Sequence, residues 1–204
     1  MRIDHLVFAA ADLAVGRDWM TERLGVAPGG AGVHPLMGTH NALWSLGTCY
    51  LEVIAVDPDA VAQRRRWFGL DGPEVRESLA AGPRLLTWVA RVDDLDAALM
   101  ATPLPLGEAV EVTRTGLRWR LSVRPDGALV EEGRAPVLIE WPRDVVTPER
   151  SLPDSGLRLD SLRVGGASKA LAALIGGMER VTCTGEEGLA ATLRRPDGQR
   201  VDFQ

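Results

Sequence analysis

Three ionisable residues lie inside stretches of this sequence that otherwise resemble buried strands. His5 is in "RIDHLVFAA", Glu52 is in "YLEVIAV" and Glu140 is in "VLIEW". A carboxylate in a strongly apolar strand is costly to bury unless it is paired or bound to a metal. One imidazole and two carboxylates that face each other could bind a divalent ion such as Zn, Ni, Mn, Fe or Co, with positions left for substrate oxygens. Glu52 or Glu140 could also move a proton.

Each of these residues also has a purely structural interpretation. A histidine in a strand is commonly a hydrogen-bonded structural residue, and a strand glutamate can point into solvent or pair with Arg118 or Arg120. Taken together, the matched positions of the two glutamates favour a shared cavity site. Two alternatives are open for this cavity site, one that binds a metal and one that does not.

The elements that must position these residues form a repeated unit. Residues 1–57 and residues 84–143 each predict a strand, a helix and three further strands. Sliding one unit on the other aligns His5 with Thr87 and Glu52 with Glu140. Residues 58–83 predict a helical linker of two short helices. Residues 155–204 predict a third, partial copy, and "RPDG" turns recur in corresponding places at 124–127 and 195–198.

Composition excludes several classes of function. The 204 residues carry a net charge of −5, which argues against nucleic acid as a partner. No apolar run approaches the ~20 residues of a membrane helix, and the first residues do not resemble a secretory leader. We therefore expect a cytoplasmic protein without membrane contact, in which Cys49 and Cys183 are buried free thiols. No G-x-S-x-G motif, phosphate loop or zinc-type cysteine pair is present in the sequence.

Several motifs together resemble the vicinal oxygen chelate superfamily, which includes glyoxalases, bleomycin-resistance proteins and dioxygenases. The resemblance is to its glyoxalase-like domain proteins, and its carriers are "IDHLVFAAADL", "GTHNALWSLG", "YLEVIAVDP", "RRWFGLD", "WRLSVRPDG" and "VLIEWP". The resemblance implies an α+β fold of paired β-α-β-β-β modules that form curved mixed sheets around a cavity. The third, partial module would follow at the C-terminus.

The resemblance also implies which residues form the site. Metal ligands in this superfamily come from the first and last strands of each module, here His5, Glu52, Thr87 and Glu140. Thr87 departs from the usual His or Gln and is a poor ligand, so three ligands, His5, Glu52 and Glu140, would hold the metal. With only one histidine in place, a ring-cleaving dioxygenase is disfavoured. The implied activity is that of a metal-assisted lyase or isomerase acting on a small substrate with adjacent oxygens.

Other residues are candidates for contact with that small-molecule substrate. They are His40, Asn41, Trp44, Thr87 and Trp119. His34, in a glycine-rich stretch, is a candidate lid residue. The alternative function is a metal-free protein of the same fold that binds or sequesters a small molecule, which the tryptophans and the missing fourth ligand favour. No organic cofactor is expected, and the chain could act as a monomer or a homodimer.

Overall fold

The computed structural model describes residues 1–114 and 116–204 as a mixed α+β fold. The strands are β1 (Arg2–Ala9), β2 (Gly30–His34), β3 (Thr39–Ser45), β4 (Tyr50–Val56), β5 (Arg84–Arg91), β6 (Glu108–Arg114), β7 (Leu117–Val123), β8 (Val137–Glu140), β9 (Arg158–Gly165), β10 (Val181–Thr184), β11 (Gly188–Arg194) and β12 (Arg200–Phe203). The α-helices are α1 (Leu13–Leu24), α2 (Pro73–Ala80), α3 (Leu95–Ala101), α4 (Pro148–Ser151) and α5 (Lys169–Ile175).

Eight strands form one curved sheet in the order β2-β3-β4-β1-β5-β8-β7-β6. Strand β1 pairs with β4 in parallel and with β5 antiparallel, and β5 pairs with β8 in parallel. Each predicted module thus supplies four strands, and the modules join along β1 and β5. At the outer edges, Arg114 of β6 approaches Gly32 of β2 so closely that a Cβ on Gly32 would lie 2.0 Å from Nη1 of Arg114. The sheet is therefore nearly closed, and the predicted α+β fold with paired modules is confirmed.

The C-terminal unit has the element order that the repeat predicts, but its strands are arranged differently. Its sheet has the order β10-β9-β11-β12, with β9 parallel to β10 and antiparallel to β11. In the two modules, by contrast, the first strand pairs with the last strand of its own unit. This second sheet packs on the first module through Phe203, whose ring lies 5.0 Å from that of Phe8 and 5.7 Å from that of Trp19.

Local sequence explains where the helices begin and end. The side chain of Asp12 accepts a hydrogen bond from the backbone N–H of Val15, and Gly25 ends α1 in the left-handed conformation. Asp94 and Ser168 cap α3 and α5 in the same way as Asp12 caps α1. No helix in the described part of the chain is both long and apolar enough to span a bilayer.

The two faces of the eight-stranded sheet carry separate apolar clusters. In β1, Leu6 and Phe8 belong to the cluster beneath the helices and the C-terminal sheet, whereas Val7 and Ala9 belong to the cluster inside the curved sheet. This alternation is the two-residue period of a strand buried on both faces. The inner cluster is completed by Trp67 and Phe68, which come from outside the sheet.

Residues 57–72, here called the linker segment, consist of turns and bends, and the only α-helix described between β4 and β5 is α2. The prediction of two helices is therefore wrong for the first half, where Pro58, Gly69 and Gly72 interrupt the chain. The linker segment instead covers the interior of the sheet. It is held by a hydrogen bond of 2.7 Å from the Gly69 N–H to the Gly127 carbonyl, and Phe68 there has a φ of 58°.

The two "RPDG" turns allow a matched test of the contact between the linker segment and the turn at residues 124–127. Both have the hydrogen bond from the glycine N–H to the arginine carbonyl at 2.9 Å, and both glycines have positive φ. A Cβ on Gly127 would lie 2.0 Å from the Arg66 carbonyl oxygen, whereas a Cβ on Gly198 would meet nothing within 4 Å. We expect Gly198→Ala to cost about 1 kcal/mol of unfolding free energy and Gly127→Ala about 3 kcal/mol, measured by urea denaturation. Equal losses would show that the linker segment is not docked on this turn.

The two cysteines differ in exposure. Cys49 is buried, and burial raises the pKa of its thiol to about 12. Cys183 is exposed, so the prediction that both thiols are buried is wrong for Cys183. The reason is its strand, β10, which lies at the edge of the smaller sheet.

Candidate functional site

A cavity opens inside the curved sheet, between its two modules and the linker segment. Its polar wall consists of His5, His34, Asn41, Glu52 and Arg114. Its aromatic wall includes Tyr50, Trp67, Phe68, Trp119 and Trp141. The free space inside is about 30 Å³, room for about two water molecules. A ligand larger than that requires some of these side chains to move.

His5 is oriented by its neighbour in the chain. The pairing of β1 with β5 shifts register between Ile3 and His5, an irregularity of the kind that re-aims side chains. Nδ1 of His5 lies 2.7 Å from Oδ1 of the fully buried Asp4. The other oxygen of Asp4 accepts hydrogen bonds from Nε of Arg91 at 2.7 Å and Nε1 of Trp141 at 3.0 Å.

Asp4 remains ionised in this network. Burial acts to raise the pKa of its carboxyl group, but the hydrogen bonds and charges of His5 and Arg91 outweigh burial and lower it. Because an ionised carboxylate only accepts hydrogen bonds, Nδ1 of His5 must donate the bond to Asp4. The Nε2 atom of His5 is thereby left for chemistry on the cavity side. Arg91 is held in turn by Glu149, at 2.8 Å.

Glu52 completes a pair with His5. Its Oε2 atom lies 3.7 Å from Nε2 of His5, and its Oε1 atom accepts a short hydrogen bond from the amide of Asn41. The ring of Tyr50 stacks on His5 with 4.4 Å between centroids. Burial, with the nearby charges of Asp4 and Glu52, raises the pKa of Tyr50 well above its ordinary value. The imidazole is thus held between a stacked ring and two carboxylates.

His34 and Arg114 form the opposite side of the cavity. His34 is the last residue of β2 and is buried, so the prediction of a lid residue in a loop is wrong. Its Nδ1 atom lies 3.0 Å from the Thr39 hydroxyl, and its Nε2 atom lies 3.5 Å from Nη1 of Arg114. Burial, helped by the charge of Arg114, lowers the pKa of His34 to about 3. His34 is therefore neutral at physiological pH.

Glu140, expected as a metal ligand and catalytic carboxylate, does not meet His5 and Glu52. Its Oε2 atom accepts a hydrogen bond from the backbone N–H of Leu95 at the start of α3, at 2.8 Å, and another from Arg120 at 3.2 Å. The residues of this stretch that line the cavity are its neighbours, Ile139 and Trp141. Aligning Glu52 over Glu140 therefore assigned Glu140 to the wrong face of its strand, because neighbouring residues of a strand point to opposite faces of a sheet.

Of the residues predicted to contact substrate, Asn41 and Trp119 line the cavity and three do not. The hydroxyl of Thr87 donates to the Gly133 carbonyl at 2.9 Å, which also makes it unavailable as a ligand. The indole of Trp44 is fully buried in the other apolar cluster. His40 lines a separate surface groove beside α1.

The donor set does not fit a divalent metal. Within the described residues, no group of three or more His, Cys, Asp or Glu side chains is arranged to hold an ion. Only His5 and Glu52 converge, because Glu140 caps α3 and the hydroxyl of Thr87 is hydrogen-bonded elsewhere. Catalytic metal sites in proteins commonly have three protein ligands. The predicted site of His5, Glu52 and Glu140 therefore does not assemble in this conformation.

Sequence reasoning missed five residues that form the cavity or its support, namely Asp4, Tyr50, Trp67, Arg114 and Trp141. Tyr50 and Trp141 could have been found by strand alternation, since Tyr50 shares parity with Glu52. Asp4 could not, because the irregularity in β1 breaks the alternation. Trp67 lies in the linker segment and Arg114 on a strand of the other module, so only the tertiary fold brings them to His34.

The chain is similar to known proteins in sequence and in fold. Residues 3–177 match the family model of the glyoxalase-like domain. A hypothetical protein from Staphylococcus aureus has a crystal structure with a TM-score of 0.58 at 13% identity, covering 100% of this chain and 85% of that one. Methylmalonyl-CoA epimerase from Mycobacterium tuberculosis has a TM-score of 0.47 at 22% identity, with 69% and 88% covered. A methylmalonyl-CoA epimerase in complex with methylmalonyl-CoA and NH4+ has a TM-score of 0.43 at 20% identity, with 72% and 98% covered. No curated protein matches the chain.

Proposed function

The chain belongs to the glyoxalase-like domain family, within the vicinal oxygen chelate superfamily, and from this premise we propose that it is a small-molecule enzyme of the isomerase or lyase type. The reaction begins with removal of a proton from a carbon atom beside a carbonyl group. His5 and Glu52 carry the proton. The proposal retains the reaction class expected from the sequence and assigns no step to a metal.

The observation that carries this proposal is the chain of contacts from Asp4 through His5 to Glu52. Asp4 fixes the Nδ1 proton of His5, so that Nε2, 3.7 Å from Oε2 of Glu52, can accept or return a proton. Two proton acceptors side by side, in a cavity with room for about two waters, suit general acid–base catalysis. The short hydrogen bond from Asn41 holds the Glu52 carboxylate in place.

Glu52 takes the proton from the substrate carbon, and the electron pair of the broken C–H bond becomes the C=C bond of an enolate. The proton stays on Glu52 or passes to Nε2 of His5. Returning it to the other face of the same carbon gives an epimer. Where that carbon carries a hydroxyl group, the hydroxyl proton passes to the former carbonyl oxygen, and returning the carried proton to the former carbonyl carbon gives an isomer. Expulsion of a leaving group from the next carbon gives a lyase product.

Deuterium exchange tests this proposal directly. The protein is incubated in D2O with α-hydroxy ketones and with the hemithioacetal of methylglyoxal and glutathione, and loss of the α-proton signal is followed by NMR. We expect Glu52→Gln to slow exchange by about 10²- to 10⁴-fold. Glu140→Gln is the matched carboxylate control, because Glu140 contacts α3, and it should exchange at the wild-type rate.

Three outcomes would contradict the proposal. The first is no exchange with any of these compounds, and the second is an equal loss of exchange in Glu52→Gln and Glu140→Gln. The third is loss of exchange on treatment with a chelator and its recovery on adding a divalent metal, which would restore the metal-assisted mechanism expected from the family resemblance.

The second candidate function is binding or sequestration of a small molecule without chemistry. The observation that favours it is the aromatic wall of the cavity, since aromatic rings supply much of the contact surface of ligand sites. A ligand that quenches tryptophan fluorescence and is recovered unchanged, with no deuterium incorporated, would support this function over the enzyme.

A further inference from the structure

We propose that the cavity binds its ligand through an anionic oxygen group, a carboxylate, held between the guanidinium of Arg114 and the indole N–H of Trp67. This inference names the ligand class of the site described above and therefore rests on the proposed function for its catalytic meaning. The binding step itself can be measured without turnover.

The first observation is the positive charge of Arg114, which no carboxylate of the described residues pairs with. Its Nη1 atom lies 3.4 Å from the Asn41 side-chain oxygen and 3.5 Å from Nε2 of His34, both neutral groups at long range. No ion pair of Arg114 occurs among residues 1–114 and 116–204. On the neighbouring strand, by contrast, Arg118 pairs with Asp144 and Arg120 with Asp96.

The second, independent observation concerns the indole N–H of Trp67. It is 3% exposed and lines the cavity, yet its Nε1 atom is buried without a hydrogen-bond partner in the described structure. The indoles of Trp44, Trp88 and Trp141 each donate to an oxygen. Leaving a buried donor without an acceptor costs about 1–3 kcal/mol, so a ligand oxygen that accepts this N–H would relieve a standing penalty.

His34 contacts both Trp67 and Arg114. Its ring meets that of Trp67 edge to face, with 4.9 Å between centroids, and its Nε2 atom faces Arg114. Because His34 is neutral, Arg114 is the permanent positive charge on this side of the cavity. A charged donor and a neutral donor around one position suit an anionic acceptor with two oxygens, which is a carboxylate.

Asn41 sets the position of this group relative to the proton-transfer pair. Its Nδ2 atom donates to Glu52, and its oxygen faces Arg114. A bound carboxylate would therefore lie one side chain away from Glu52. The ligand class that fits both the carboxylate position and the proton-transfer pair is a small carboxylic acid. Its acidic carbon would be one or two bonds from the carboxylate.

Phenylacetate and phenylacetamide form a probe pair of equal shape that differs in charge, and binding is followed by quenching of tryptophan fluorescence. We expect the wild type to bind phenylacetate at least tenfold more tightly than phenylacetamide. Arg114→Gln should remove that preference, and Trp67→Phe, which keeps an aromatic ring, should weaken the binding of phenylacetate. Arg118→Gln is the matched control, because Arg118 is an exposed arginine of the adjacent strand, and it should behave as the wild type.

Equal affinity of the wild type for both probes would overturn the inference, as would equal behaviour of Arg114→Gln and Arg118→Gln. Binding of neither probe at about 10 mM would also overturn it. The two proposals can fail separately. Charge-selective binding without deuterium exchange would support the carboxylate site and contradict the proposed enzymatic function. Deuterium exchange without charge-selective binding would support the enzymatic function and contradict the carboxylate site.

Discussion

Replacing Asp4 by asparagine is expected to lower the free energy of unfolding by about 3 kcal/mol, because it breaks a buried ionic network. Asp4 accepts hydrogen bonds from His5, Arg91 and Trp141, and it is completely enclosed by protein. Without its charge, the partly buried guanidinium of Arg91 keeps Glu149 as its one anionic partner among the described residues. Urea denaturation at pH 7 measures the loss.

Asp144→Asn is the control for this substitution. Asp144 also makes two hydrogen bonds to an arginine, Arg118, but both side chains are largely exposed, so its removal should change stability little. A loss in Asp4→Asn no larger than in Asp144→Asn would show that the buried network does not stabilise the fold. Nitrogen NMR of the His5 ring adds a second measurement. We expect the Nδ1 proton to be fixed in the wild type and redistributed in Asp4→Asn, since an amide can donate as well as accept.

Acidification from pH 6.5 to 4.5 is expected to cost the wild type about 2.3 kcal/mol of stability through His34 alone, because the slope rises from about half of its full value at pH 6.5 to about 1.36 kcal/mol per pH unit at lower pH. Its pKa is about 3 in the folded protein against an ordinary value of 6.5. Between these values the unfolded chain takes up a proton that the folded protein does not, so stability falls as pH falls. The pKa of Asp4 is lowered from 3.8, so its contribution is lost below this window.

His34→Gln tests this expectation through the pH dependence of the free energy of unfolding rather than through its value at one pH. Glutamine does not titrate, so the variant should lose about 2.3 kcal/mol less than the wild type over the same pH interval, whatever its stability at pH 7. Urea denaturation at half-unit steps of pH gives both slopes. Parallel slopes would contradict the burial of a neutral His34 at the cavity wall.

Much of the fold could be predicted because local signals and the repeat agree. Asp12 and Gly25 are residue types that commonly cap helices and they bound α1, and both "RPDG" turns form where the sequence has them. The linker segment was mispredicted because its apolar residues suggest helix while its glycines and prolines prevent one. What the segment does instead, covering the cavity with Trp67 and Phe68, depends on packing that no local pattern contains.

The site could be predicted in part. His5, Glu52 and Asn41 are contiguous in space because they lie on β1, β4 and β3 of one module, where strand alternation is a reliable guide. Glu140 was misassigned because comparing two modules by sequence leaves the register uncertain by one residue, and one residue decides the face. Arg114 was missed because it reaches His34 only when the sheet curves far enough to bring β6 to β2.

The packing of the C-terminal sheet bears on the evolutionary history of the chain. Phe203 fills the outer face of the first module against Phe8 and Trp19, and Leu162 and Leu193 belong to the same apolar cluster. An ancestor that consisted of the two duplicated modules alone would have exposed this face to water. It would have needed another cover there, such as a second copy of itself. Deleting that sheet from the present chain would therefore expose this apolar face unless another surface covered it.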